Sequence, residues 1–255
     1  MRSEVNERAV WSLRGNVAEL HCGKLSARVD ASRPDAGLHN VVIDGAPQAT
    51  ELLRIYRSDI TDMISWPLPV AESYVRGNDL VVSYQATDDW PFSPQLYWRA
   101  NSLRAVDGVL ASASLLVSVQ THLLDTMPQM AISSRAPCEE PLLVSMTNAA
   151  LPRAARIDLR QTIPSTEEDC CVVQRLKDLK LSYVEIMPAG DFHATRVLTD
   201  GKNAAFEWRL FAEFLEKGVI RRARVHTAIL PRENDIEIAA ACCKAIDSLK
   251  LPLTT

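Results

Sequence analysis

Glycine is scarce in this chain: only 9 of its 255 residues, with no glycine-rich loop. That excludes a collagen-like repeat. Neither G-x-G-x-x-G nor G-x-x-x-x-G-K-[ST] occurs, so no dinucleotide or phosphate loop is signalled. G-x-S-x-G is missing too, which counts against an α/β-hydrolase. The six cysteines (Cys22, Cys138, Cys170, Cys171, Cys242, Cys243) form no C-x-x-C, so thiolate zinc spacing is lacking. H-E-x-x-H is absent, and His21, His39, His122, His193 and His226 are scattered, so the spacing implies no metal and no cofactor. Basic excess is missing as well: the net charge is −4, which removes the usual electrostatic drive toward nucleic acid. The longest apolar run, residues 109–119, is broken by serines and too short to span a bilayer. The opening MRSEVNERAVWSLRGN carries no apolar leader segment. The expectation is a cytoplasmic chain with reduced thiols and neither a membrane nor a nucleic-acid partner.

What is present is ordinary globular composition, 47% hydrophobic and 24% charged, without internal repeats or long charge runs. One domain over residues 1–255 is the economical reading. Alternation with a period of two dominates. In DLVVSYQ (79–85), Leu80, Val82 and Tyr84 oppose Val81, Ser83 and Gln85, after a Gly77-Asn78 turn signal. QLYWR (95–99) sets Leu96 and Trp98 against Gln95, Tyr97 and Arg99. Residues 109–124 split into an apolar face and a face of Ser112, Ser114, Ser118, Gln120 and His122. LSYVEIM (181–187) sets Val184 and Ile186 against Tyr183 and Glu185. Residues 220–230 set Ala223, Val225, Thr227 and Ile229 against Arg222, Arg224 and His226. Residues 17–20 and 25–29 form a hairpin, 142–147 a short strand, and 205–216 a strand followed by a turn. Helical spacing of apolar residues appears only near the end, about 235–250, with Asn234 or Asp235 as cap and Pro252 as stop. The pattern predicts a mainly β fold: an antiparallel β-sandwich with a C-terminal helix packed outside it.

Chemistry then rests on polar groups carried by strand faces. Glu185 lies in an otherwise apolar segment; it either pairs with an arginine of a neighbouring strand or acts as a general base in a cleft. His122 is either a rim residue bonded to a loop carbonyl or a proton donor, and His193 is a surface-loop residue or a ligand contact. Trp66, Trp90, Tyr97 and Trp98 sit near proline-rich loops and either fill core or offer platforms for amphipathic rings such as sugars. Arg99 shares the face of Tyr97. Arg54, Arg57 and Asp59 either form an ion-pair network or bind ligand hydroxyls.

Two stretches, LSYVEIM followed by EKGVIRRARVHTAIL, and the series DLVVSYQ, QLYWR and VSVQTHLL, resemble the galactose mutarotase-like proteins, the aldose-epimerase group of β-supersandwiches. The resemblance implies a sugar-binding cleft on the polar face of the larger sheet. It also implies that Glu185 is the base for the anomeric hydroxyl and His122 the acid for the ring oxygen. Arg57, Trp66, Tyr97, Trp98, Arg99 and His193 are then the substrate-binding candidates. Leu123, Leu124 and Asp125 follow His122, in place of that family's usual asparagine and aromatic context. Three readings stay open at this point: an epimerase acting on a hexose, a non-catalytic carbohydrate-binding domain, and a β-sandwich protein-interaction domain. The oligomeric state is not indicated.

Overall fold

The computed structural model describes residues 10–58, 68–145, 152–157, 162–164, 170–200 and 202–247. The chain opens with β1 (Trp11–Arg14), β2 (Val17–Cys22), β3 (Leu25–Asp30), β4 (His39–Ile43) and β5 (Ala46–Pro47), an antiparallel five-stranded sheet in sequence order. β6 (Glu51–Arg57), β7 (Val70–Arg76), β8 (Asp79–Tyr84), β9 (Phe92–Ala100) and β10 (Ala111–Thr121) follow. Then come β11 (Met130–Ser145), β12 (Arg153–Arg156), β13 (Thr162–Pro164), β14 (Cys170–Leu176) and β15 (Leu181–Ile186). β16 (Ala194–Thr199), β17 (Asn203–Leu210) and β18 (Ile220–Pro231) complete the strands, and α1 (Asp235–Asp247) ends the described chain. The fold is thus mainly antiparallel β with one C-terminal helix, as the alternation predicts.

β6 to β18 belong to one 13-stranded hydrogen-bonded system that folds over on itself, and β11 makes the fold. Its first half lies between β6 and β17, its second half between β12 and β14, with a register shift between Cys138 and Glu140. The extra residue of such a bulge bends a strand and lets it serve two sheets. One layer is therefore β13-β16-β17-β11-β6, and the other is β12-β11-β14-β15-β18-β10-β9-β8-β7. The short strand expected over 142–147 overlaps only the last quarter of β11.

The inner face of the longer layer packs over both the shorter layer and the five-stranded sheet. One apolar cluster joins Leu20, Val29 and Ile43 to Leu96, Trp98 and Leu115 and to Phe206 and Trp208. Each large aliphatic side chain moved from water into it contributes about 1.5–3 kcal/mol. The outer face of the longer layer is covered over part of its width by α1, whose Ala239, Cys242, Cys243 and Ile246 meet Val173, Val184, Ile186, Ala228 and Leu230. Asp235 does more than begin this helix. Its carboxylate accepts two bonds from Arg175, each 3.0 Å, and one from Ser182 at 2.7 Å, pinning the helix start to β14 and β15.

Candidate functional site

Beyond α1, a groove opens on the outer face of the longer layer, and antiparallel register decides what stands on that face. Directly paired residues share a face, with Cβ atoms about 4.5–5.5 Å apart. Three rows cross β7, β8, β9, β10 and β18. The first reads Arg76, Asp79, Arg99, Ser114, His226. The second reads Tyr74, Val81, Tyr97, Leu116, Arg224. The third reads Glu72, Ser83, Gln95, Ser118, Arg222. An apolar stripe, in which Tyr74 packs on Val81, Tyr97 and Leu116, thus runs between two polar rows.

A groove of about 510 Å³ opens over the first two rows. Asp79, Tyr97, Arg99, Ser114, Arg224 and His226 line it, and Asn101 and Ser102 form its wall on the loop after β9. The Gly77-Asn78 turn closes the β7–β8 end; Gly77 has φ +59 there, and the turn is held when Trp11 Nε1 donates to the Asn78 carbonyl at 3.0 Å. Arg99 donates from Nε and Nη2 to the two oxygens of Asp79, both at 2.7 Å. Arg224 donates from Nε to Asp191 Oδ2 at 3.2 Å, and its backbone N–H reaches the same oxygen at 3.0 Å. Asp191 can take that backbone group because β15 ends at Ile186 and leaves the edge of β18 free. Tyr97 donates its hydroxyl to Gln95.

His226 is the unusual member. It is 5% exposed, lines the groove, and neither ring nitrogen has a hydrogen-bond partner among the described residues. Burial, followed by the charges of Arg224 and Arg99, pushes its pKa down to about 4. The imidazole is therefore neutral near pH 7, with one nitrogen able to donate and the other to accept. A buried polar group left unpaired costs free energy, and such groups concentrate where a ligand completes the bonding. A second hollow of about 510 Å³ borders β4, β11 and β17, but its Glu51 and Arg135 are already paired with Arg54 and Asp200.

Glu185 is not in the groove. Its register partner is Thr227, which shares the inner face of β18 with Val225 and Ile229, so the carboxylate points into the interior and is fully buried. There the Tyr183 hydroxyl donates to Oε1 and Trp208 Nε1 to Oε2, both at 2.7 Å. Ser134 Oγ stands 3.1 Å from the Tyr183 hydroxyl and takes the Leu53 N–H at 2.8 Å. Burial raises the Glu185 pKa, and the surrounding Ser134, Trp208 and Tyr183 donors pull it part of the way back. The expectation of Glu185 in a wet hollow is thus corrected. The partner found is neither an arginine nor a ligand but a tyrosine, an indole and a serine that tie the two layers together.

The other candidates divide. Tyr97 and Arg99 are brought together in the groove, beside His226. Trp98, the neighbour of both, faces the interior and is 1% exposed, so it is removed from the groove by strand alternation alone. His122 lies on the exposed bend after β10, away from Glu185, and the proposed acid–base pair does not meet. His193 is exposed; it borders a small cavity of about 70 Å³ with Asp191 and Arg222, next to the groove but outside it. Arg57 belongs to the shorter layer, with its guanidinium 6.0 Å from the centroid of the Trp90 ring. Trp66 and Asp59 lie outside the described residues. Sequence reading missed His226 and Arg224 as site residues. The alternation of Arg222, Arg224 and His226 was the available signal, but it needed the pairing of β18 with β10 to acquire meaning.

No protein-family model and no curated protein sequence matches the chain. Similar solved structures include a heparan sulfate lyase mutant from Pedobacter heparinus, 10% identical, with a TM-score of 0.43 over 88% of this chain and 37% of that one. A putative aldose 1-epimerase from Klebsiella pneumoniae is 8% identical, with a TM-score of 0.40 over 96% of this chain and 90% of that one. A heparinase III is 10% identical, with a TM-score of 0.38 over 88% of this chain and 36% of that one. The chain thus spans little more than a third of the length of the two heparin-type enzymes.

Proposed function

We propose that the chain binds a carbohydrate in the groove on the outer face of its longer β layer. The observation that carries this reading is the banding of the face. An apolar stripe of Tyr97 and Leu116 matches the C–H face of a sugar ring, and the polar rows on either side match its hydroxyl edges. His226 adds a buried, unpartnered group that a hydroxyl can both donate to and accept from. A groove with such a floor favours a small ligand over the flat surface of a protein-interaction domain. Opening and reclosing an aldose ring needs an acid and a base that reach the same sugar. Glu185 and His122 lie elsewhere, so epimerase chemistry here would run through His226.

Saturation-transfer NMR with a panel of neutral and acidic mono- and oligosaccharides tests the proposal. Binding that is lost in His226→Ala and Tyr97→Ala but kept in Glu185→Gln supports it. Absence of binding across the panel, or binding untouched by the groove variants, refutes it. Exchange spectroscopy of the α and β anomers on the same samples decides between binding and mutarotation.

A further inference from the structure

The charged lining of the groove is unbalanced: the guanidinium groups of Arg99 and Arg224 stand there against the single carboxylate of Asp79. Arg76 and Arg222 stand on the same face of the sheet, outside the groove. Of the acids, Asp79 has both oxygens taken by Arg99, Asp191 is taken by Arg224, and Glu72 lies at the far edge on β7. Among the described residues Arg224 is bonded through its backbone N–H and Nε, which leaves its Nη edge for a ligand, and Arg222 Nε, beside the groove, is buried without a partner. Hydroxyls of a neutral sugar look for acceptors as well as donors, and here the charge of Asp79 and of Asp191 is already balanced by an arginine while a guanidinium edge remains open. An oxyanion, which accepts only, fits what is left.

We propose that the sugar bound in this groove is acidic, carrying an oxyanion that seats against Arg224 and His226 with Arg99 beside them. This rests on the carbohydrate reading above. Arg99 and Arg224 are held in place by Asp79 and Asp191 before any ligand arrives, so their guanidinium forks lose little freedom when an anion docks. Burial first, and then the charges of Arg224 and Arg99, hold His226 unprotonated, and an anion placed between the two arginines would offset their part of that effect.

The test compares glucose, glucuronate and glucose 6-phosphate by isothermal titration at low ionic strength, with inorganic phosphate as the ion-only control. Charge-assisted bonds of ordinary strength give the acidic sugars about 10- to 100-fold tighter binding than glucose. The advantage shrinks with added salt. The relative affinities of glucuronate and glucose 6-phosphate identify carboxylate or phosphate as the preferred oxyanion. Arg224→Gln brings the acidic sugars close to parity with glucose. Arg222→Gln, at a side chain outside the groove, lowers the preference less than Arg224→Gln does. Equal binding of glucose and the acidic sugars overturns this inference and leaves the carbohydrate reading standing. Binding of phosphate as tight as that of the acidic sugars overturns it too, and no binding by any sugar removes both.

Discussion

Removing the Glu185 carboxylate tests whether that group is structural. In Glu185→Ala, the Trp208 indole N–H loses its acceptor inside a fully closed interior, and the Tyr183 hydroxyl is left with Ser134 Oγ at 3.1 Å. An unsatisfied buried donor costs about 1–3 kcal/mol; the Trp208 indole loses that much, the lost Tyr183 bond adds to it, and the missing volume adds a cavity cost. Against a typical total stability of about 5–15 kcal/mol, that is enough to lower the urea midpoint severely. Glu185→Gln keeps the shape and one acceptor oxygen but turns an NH₂ toward a donor, and about 1–3 kcal/mol is expected. Chemical denaturation followed by tryptophan fluorescence measures both. Because the carboxylate lies on the opposite face of the sheet from the groove, the folded fraction of either variant keeps its ligand affinity. A Glu185→Gln protein of wild-type stability that has lost ligand binding or anomer exchange would refute this reasoning and restore Glu185 to the site.

Two further outcomes follow from single residues. His226 has its pKa lowered from 6.5 to about 4 in the folded chain, so on acidification the unfolded chain takes up the proton first. Its contribution is complete above about pH 6.5 and is lost as the pH falls toward 4, by about 3 kcal/mol. Denaturation at a series of pH values should show this limb in the wild type and a flatter one in His226→Gln; identical limbs would sink the assignment. Gly23, in the β2–β3 turn, has φ +57, and a Cβ there would stand 2.2 Å from the Leu110 carbonyl oxygen. Gly77 has a similar φ of +59 but open space around it. Gly77→Ala should therefore cost only about 1–2 kcal/mol of left-handed strain. Gly23→Ala adds a backbone collision and should lower the melting temperature further, and equal losses would show that the contact relaxes freely.

Much of the architecture is legible in the residues because burial of one strand face leaves a period-two record. The segments around 80–84, 95–99, 111–121, 181–186 and 220–230 are strands as their alternation predicts, and the helix begins at Asp235. The long β11 was not legible. Its apolar pattern is interrupted by Arg135, Pro137, Glu139 and Glu140 where the strand bends from one layer to the other, and a bend resembles a loop in one dimension. The site was legible only in part. Proximity to proline-rich loops singles out Tyr97 and Trp98 alike, but adjacent strand residues cannot share a face, and only Tyr97 stands with Arg99 in the groove.

Alternation alone sorted the residues of each strand into two faces, and in β18 it already separated Arg222, Arg224 and His226 from Ala223, Val225 and Ile229. Which face of one strand joins which face of the next is fixed by register between segments far apart in the chain, and the tertiary structure supplied that. Pairing Glu185 with Thr227 sent the carboxylate inward, while pairing His226 with Ser114 placed the imidazole in the groove. A slip of one residue would exchange them, because each step along a strand turns the side chain to the opposite side of the sheet.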